Sequence, residues 1–151
     1  MRRIGVRTTF EDLPEAIAQK AVRHILDSIG AGTAGAIAPE TTILTQTLHA
    51  AGEGSGAAPL WGRGEKMTPL NAALVNGTAS HTGGCDHSGA VVVPAAVAAL
   101  ELAGRPVSGK EFITAVVLGY DIARRALEAC GAYEPHNGAG FHSTGTCGPF
   151  G

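Results

Sequence analysis

Apolar residues recur along the chain at the three- and four-residue spacing of helices, without the alternation that is typical of strands. This spacing predicts a helix over residues 14–29. It predicts another over residues 108–129, which opens with a capping-box pattern from Ser108 to Glu111. We therefore expect an all-α, helical bundle-like fold, with residues 1–151 forming a single domain.

Three further helices are expected between these two, over residues 39–51, 69–80 and 91–103. Thr68 is placed to cap the second of them, and Pro69 suits its first helical position. The helix over residues 91–103 is apolar almost all round, so it should be buried. A short chain offers little cover for such a helix, and exposed apolar patches favour association, so we expect a homo-oligomer, most simply a dimer.

The connections are rich in glycine and polar residues. Residues 1–10 are expected to be extended, and Asp12 is placed to cap the first helix. Trp61 is expected to pin a glycine-rich loop to the core, because an indole buries a large area. Residues 131–140 are expected to form an irregular connection.

Glycines at positions 30, 32 and 35 are expected to end or loosen the first helix. They also form a literal G-x-G-x-x-G from Gly30 to Gly35. This motif follows a helical pattern rather than a strand, so it does not indicate a dinucleotide site.

Composition excludes several classes of function. The chain has 151 residues, of which 44% are hydrophobic and 16% charged, as expected for a globular domain. A net charge of −2 gives no basic surface for nucleic acid or an anionic membrane. No apolar run is long enough to cross a bilayer, and three cysteines without paired spacing argue against a disulfide scaffold. We expect a cytoplasmic protein with reduced thiols.

A polar turn, HTGGCDHSG, joins the predicted helices 69–80 and 91–103. His87 could serve as a proton carrier or be an ordinary exposed loop histidine. Asp86 could act in catalysis or simply end a helix or a turn. His81, Cys85 and His87 are of types that bind zinc, but their spacing is not a recurrent zinc pattern, so no metal is expected.

No chemistry is assigned to five other residues of reactive types. His24 and His49 fall within predicted helices, where one hydrogen-bond partner would satisfy each of them. His136 is expected to be exposed in a loop. Cys130 and Cys147 are expected to be small buried residues.

Three blocks, AALVNGTASH, DHSGAVVVPAA and GFHSTGTCGPFG, resemble the N-terminal portion of the MmgE/PrpD family in order and spacing. That family contains 2-methylcitrate dehydratases, cis-aconitate decarboxylases and related enzymes. The resemblance implies a helical lyase that needs no cofactor and acts on a small di- or tricarboxylate. The family's proteins are much longer, so the resemblance covers only their first portion.

The resemblance also implies site residues. They are catalytic His87, His142 and Asp86, with Ser88, Ser143 and Thr144 binding substrate. The hydroxyls and N–H groups after His142 would suit an anion at a helix N-terminus, or one hydroxyl could merely cap that helix. The anion site and the helix cap could both be present.

Two hypotheses follow from these observations. In the first, His87 and His142 share one cleft of a lyase, whose further lysines would come from sequence beyond Gly151. In the second, the chain is a non-catalytic helical relative that acts as a folded or partner-binding unit. The acidic cluster around Asp86 is shortened relative to the family, so we expect this chain alone to lack turnover.

Overall fold

The prediction of an all-α protein is confirmed. The computed structural model describes residues 7–151, which form seven α-helices and one small sheet. The helices are α1 Glu15–Ala34, α2 Pro39–Ala50, α3 Pro69–Thr82, α4 Gly89–Leu102, α5 Gly109–Ala129, α6 Tyr133–Gly138 and α7 Ser143–Thr146. The sheet pairs β1 Ala58–Pro59 with β2 Lys66–Met67 in antiparallel register. None of the described helices is long and apolar enough to cross a membrane.

Two of the helices begin at the capping residues that the sequence predicts, and one does not. Ser108 and Glu111 form the expected capping box at the start of α5, and the Thr68 side chain accepts from the backbone of α3. The prediction that Asp12 caps α1 is wrong. Asp12 instead accepts from the backbone N–H of Thr9 at 2.9 Å, within a 3₁₀ turn over residues 10–12. The rest of the extended lead-in expected for residues 1–10 lies mostly outside the described residues.

Helix α1 is longer than expected because Gly30 and Gly32 do not end it, whereas Gly35 is its C-cap residue. It continues through Gly30 and Gly32 to Ala34. A Cβ at Gly32 would meet the Trp61 ring at 2.5 Å and Ser80 Oγ at 2.8 Å. The glycine at position 32 therefore permits close packing of α1 against α3 and the loop that carries Trp61.

Helix α3 lies at the centre of the fold and contacts α1, α2 and α4. On one side, Val75 and Met67 belong to an apolar cluster against which α2 packs. On the other side of the molecule, Val93 of α4 and Val116 of α5 form a second cluster, fully buried at 0% and 1% exposure. Its contacts with α1, α2 and α4 hold α3 in place, and the C-terminal end of α3 carries the polar turn.

Trp61 pins its loop to the core, as predicted. Its ring packs against the cluster around Val93. Its backbone N–H donates to Asn76 Oδ1 at 2.9 Å, and Asn76 Nδ2 donates to the Pro59 carbonyl at 3.1 Å. Asn76 is 3% exposed, so both ends of its amide satisfy loop backbone groups that would otherwise be buried without partners.

Helix α4 is less completely buried than its composition suggests. It begins at Gly89, and Val92, Val93 and Pro94 are buried. Leu102 near its C-terminus is 64% exposed. Ala95, Ala99 and Leu100 are exposed as well, so the expectation of burial on all sides is wrong.

The segment 131–140 is not irregular throughout, because Tyr133–Gly138 forms α6. The prediction that His136 is exposed is wrong. Its ring is buried, stacks on Phe141 with centroids 5.3 Å apart, and bonds Thr146 Oγ1 at 2.6 Å. Cys147 is buried as predicted, whereas Cys130 is exposed.

Candidate functional site

Three histidines converge where α3, the following turn and the start of α7 meet. His81 lies in the last turn of α3, His87 in the turn to α4, and His142 immediately before α7. The ring centroids form a nearly equilateral triangle, with sides of 5.7 Å (His81–His87), 5.6 Å (His81–His142) and 5.4 Å (His87–His142). The structure thus brings His87 and His142 together, and it adds His81, which the family comparison of the sequence did not single out.

His87 is the most enclosed of the three histidines and the most firmly held. Its Nδ1 bonds Thr144 Oγ1, and its Nε2 lies 3.4 Å from the Tyr133 hydroxyl. Burial lowers the pKa of His87, and the neighbouring charges of His142 and His81 lower it further. An imidazole with a lowered pKa is neutral at neutral pH and can accept a proton.

Asp86 lies beside His87 in sequence, but its carboxylate is bound by other groups. Oδ2 accepts from the Tyr120 hydroxyl at 2.9 Å and contacts His24 Nδ1 at 3.1 Å. Oδ1 accepts from the Gly89 N–H at 2.9 Å, at the start of α4. The helix-terminal role considered for this aspartate is therefore present, and the carboxylate also ties α4 to α1 and α5.

The Asp86 carboxylate also raises the pKa of two neighbouring side chains, Tyr120 and Cys85. The pKa of Tyr120 is raised strongly, first by burial and then by the charge of Asp86 and the hydrogen bond to it. Burial, followed by the charge of Asp86, raises the pKa of Cys85 to about 11, so this thiol stays protonated at neutral pH. A catalytic thiolate at Cys85 is not supported.

A cleft of about 220 Å³ adjoins the histidine cluster on the side of α5. Asp86, His87, Ser88 and Thr144 line it, together with Arg124 and Tyr133. The Arg124 guanidinium is 63% exposed and pairs with Glu128. The volume suits a small molecule rather than a polymer.

The predicted substrate-binding hydroxyls are not equally available. The Ser88 side chain has no capping bond at the start of α4. Ser143 is buried and donates to Asn137 Oδ1 at 2.9 Å, and Thr144 bonds His87. Neither Ser143 nor Thr144 caps α7, because His142 occupies its N-cap position.

The anion site expected at the N-terminus of the last helix is weaker than predicted. Helix α7 comprises only residues 143–146, a single turn. So few aligned peptide dipoles contribute little to anion binding. Binding of a carboxylate at this site would therefore depend mainly on hydrogen bonds and charges supplied by side chains.

The sequence does not indicate several of the polar groups around the site. It offers His81 only as a possible metal ligand, and it assigns no role at the site to Arg124, Tyr133 or Tyr120. Arg124 and Tyr120 lie four residues apart on α5, a spacing that places them on one helical face. That face could be found in the sequence, whereas its contact with the turn at Asp86 required the fold.

Comparison with known proteins supports the resemblance of the three sequence blocks. The family model described as the MmgE/PrpD N-terminal domain matches residues 5–151. No curated protein and no solved structure matches the chain. The match covers all of the described helices, together with His81, His87 and His142. The chain therefore belongs to the MmgE/PrpD family and represents its N-terminal domain.

Proposed function

We propose that this domain contributes the histidine side of a lyase site for a small di- or tricarboxylate, of the 2-methylcitrate or cis-aconitate type. Family membership supports the class of reaction. The observation that carries the proposal is the convergence of His87 and His142, with ring centroids 5.4 Å apart beside the cleft that Arg124 and Ser88 line. His87 and Arg124 line this cleft, whereas His142 lines a cavity that shares Thr144 with it. Several donors this close together suit a ligand with several carboxylates.

His87 is the residue we assign to proton transfer. Neutral His87 would remove the proton α to a substrate carboxylate, and the electron pair would pass into an enolate-like system. In a dehydration, the hydroxyl then leaves as water after protonation, with formation of a C=C bond. In a decarboxylation no α proton is removed: the C–C bond to the departing carboxylate breaks, its electron pair passes into the enolate-like system, carbon dioxide leaves, and a protonated imidazole returns one proton to that carbon. Arg124 and His142 would stabilise the carboxylate and enolate charge.

Asp86 fits this reaction less well than the histidines. Its two oxygens accept hydrogen bonds from Tyr120 and Gly89 and contact His24. We propose that Asp86 positions the turn that carries His87. No lysine is among the residues lining the 220 Å³ cleft in the described part of the chain. We therefore expect the domain to bind a carboxylate ligand without turning it over.

A citrate titration followed by the histidine NMR resonances tests this proposal. The protein is first passed over a chelating resin and is studied at about pH 6, where histidines are partly protonated. Citrate should shift the resonances of His87 and His142, and His142→Ala should weaken binding by about tenfold, as for a lost charged hydrogen bond. The control is His49→Ala, because His49 pairs with Glu65 away from the cluster.

The outcomes separate the two hypotheses. A folded protein whose His87 and His142 resonances do not respond to citrate would contradict the shared carboxylate site and favour the non-catalytic helical unit. Rapid dehydration of 2-methylcitrate by the 151-residue chain alone would show that the domain already holds a complete site, against our expectation.

We also propose self-association, as expected from the apolar sequence. Large apolar side chains lie exposed on several helices, among them Leu26 at 65%, Leu70 at 75% and Leu102 at 64% exposure. Exposed apolar patches favour association. Light scattering should give a mass above that of one chain, and a monomer across a wide concentration range would oppose this part of the proposal.

A further inference from the structure

His81, His87 and His142 each offer one imidazole nitrogen, and these three nitrogens lie within 4.8 Å of one another. We propose that the three imidazoles form a binding site for a divalent transition-metal ion, with Zn²⁺ as the best-suited ion. Three neutral imidazoles with one position left open form a recurrent set of zinc ligands. This inference does not depend on the lyase proposal, because the ion would bind in the absence of any carboxylate.

The distances allow such a site after small side-chain movements. Zn–N bonds measure about 2.0–2.1 Å, so ligand nitrogens around one tetrahedral ion lie roughly 3.3 Å apart. Among the described residues, the ring nitrogens of His81 and His142 have no hydrogen-bond partner, and both side chains are exposed. Both rings can therefore turn towards a common centre without breaking a hydrogen bond.

His87 supplies the fixed ligand. Thr144 Oγ1 bonds its Nδ1, and the Tyr133 hydroxyl lies 3.4 Å from its Nε2. Whichever nitrogen binds the metal, the other has a hydroxyl partner that sets the tautomer and the orientation of the ring. Such outer partners are a regular feature of histidines that bind metals.

The fourth coordination position would face an open space. A cavity of about 590 Å³ is lined by His81, His142 and Thr144, with apolar residues of α3 and α4 on its walls. A water molecule or an anionic ligand could reach the ion from this cavity. The arrangement therefore matches a site that keeps an exchangeable position rather than a closed structural site.

The fold explains why the sequence spacing failed to predict this site. His81 and His87 alone do not have a recurrent zinc spacing, and Cys85 carries a strongly protonated thiol. The third ligand, His142, is distant in sequence and reaches the cluster only because α6 and α7 fold back over the turn. The ligand set is therefore three histidines, without the cysteine and Asp86 considered from the sequence.

The test is a titration of the full chain with Zn²⁺ alone by calorimetry, and with Co²⁺ by visible absorption, in a buffer that does not bind metals. We expect one ion per chain and the intense d–d bands of Co²⁺ with four ligands. His81→Ala and His142→Ala should each weaken binding by at least about tenfold, since even outer partners contribute that much. Both residues are exposed, so both variants should fold, which circular dichroism checks.

Two controls keep the result specific. His49→Ala removes an exposed histidine far from the cluster and should bind Zn²⁺ like the parent protein. Cys130→Ser removes an exposed thiol, the most accessible competing ligand, and should also leave binding unchanged. Absence of stoichiometric binding would overturn the proposal. So would binding that persists in both histidine variants or disappears in Cys130→Ser. None of these results would bear on citrate binding, which is measured after removal of metals.

Discussion

Replacing Gly35 with alanine should push the end of α1 away from α3 and disturb the histidine cluster. Gly35 follows α1 in a short 3₁₀ turn. A Cβ at this position would lie well under 3.0 Å from the Ala79 carbonyl oxygen and 3.0 Å from the Gly83 nitrogen. Both atoms belong to the backbone at the end of α3, so no side-chain rotation can relieve the clash. The conformation itself, with φ −77°, suits alanine.

The size of the effect follows from the displacement that is needed. The Ala79 oxygen would have to retreat by about 1 Å to reach even the closest separation that real Cβ atoms show. Overpacking of this kind typically destabilises a protein by about 1–3 kcal/mol, and we expect about 2–3 kcal/mol because the obstacle is backbone. His81 follows Ala79 by two residues. The same movement should therefore shift His81 and weaken Zn²⁺ binding.

The matched control is Gly30→Ala in α1. A Cβ there would meet nothing within 4 Å. Alanine favours a helix interior over glycine by about 0.5–1 kcal/mol, so this variant should be slightly more stable than the parent. The two substitutions are chemically identical, yet they should change stability in opposite directions.

The measurement is urea unfolding of the three proteins, followed by helical circular dichroism, with the free energy of unfolding extrapolated to water. A value for Gly35→Ala within about 0.5 kcal/mol of the parent, the range of an ordinary surface change, would refute the close approach of α3 to Gly35. Loss of stability in Gly30→Ala would refute the assignment of residue 30 to an open helix face.

Three further predictions concern hydrogen bonds that the structure makes explicit. Asn76→Ala should destabilise the protein by about 2–3 kcal/mol, because it leaves the Trp61 N–H and a loop carbonyl without partners; thermal unfolding measures this loss. Ser108→Ala should cost about 1 kcal/mol through loss of the α5 cap, as urea unfolding can show. The hydrogen bond from Arg105 is the main reason that the pKa of Glu111 is lowered from 4.5 to about 2. The ionised Glu111 therefore stabilises the folded protein above pH 4.5, and this contribution is lost as the pH falls towards 2. Glu111→Gln should therefore flatten the dependence of stability on pH in that window, and an unchanged acid profile would contradict this.

The long helices were predictable because their own sequences specify them. Helix α5 carries a regular apolar stripe and a capping box, and both survive in the structure. Helix α6 was missed because Pro135 and the surrounding glycines disfavour a helix locally. Contacts with residues outside the helix stabilise α6 instead, among them the stacking of His136 on Phe141. These contacts depend on the fold and leave no periodic pattern in the sequence.

The candidate site was predictable only where neighbours in sequence are neighbours in space. The turn that carries His87 and the block around His142 were both recognised, but no local pattern indicates that His81 faces the two of them. The role of Asp86 was also undecided from sequence. Its partners Tyr120 and His24 come from α5 and α1, so only the packing of these helices shows where its carboxylate lies.

The short turn between α3 and α4 directs its polar side chains towards different helices. Gly84, with φ +95°, allows the chain to reverse within a few residues. Asp86 then lies towards α1 and α5, where Tyr120 and the α4 backbone hold it, while His87 lies towards α6 and α7, where Thr144 holds it. Asp86 and His87 nevertheless line the same cleft of about 220 Å³. What distinguishes them is that both Asp86 oxygens are already engaged, by Tyr120, His24 and the Gly89 N–H. We therefore assign the proposed acid–base chemistry to the imidazoles, and we propose that the aspartate keeps the turn, and with it His87, in place.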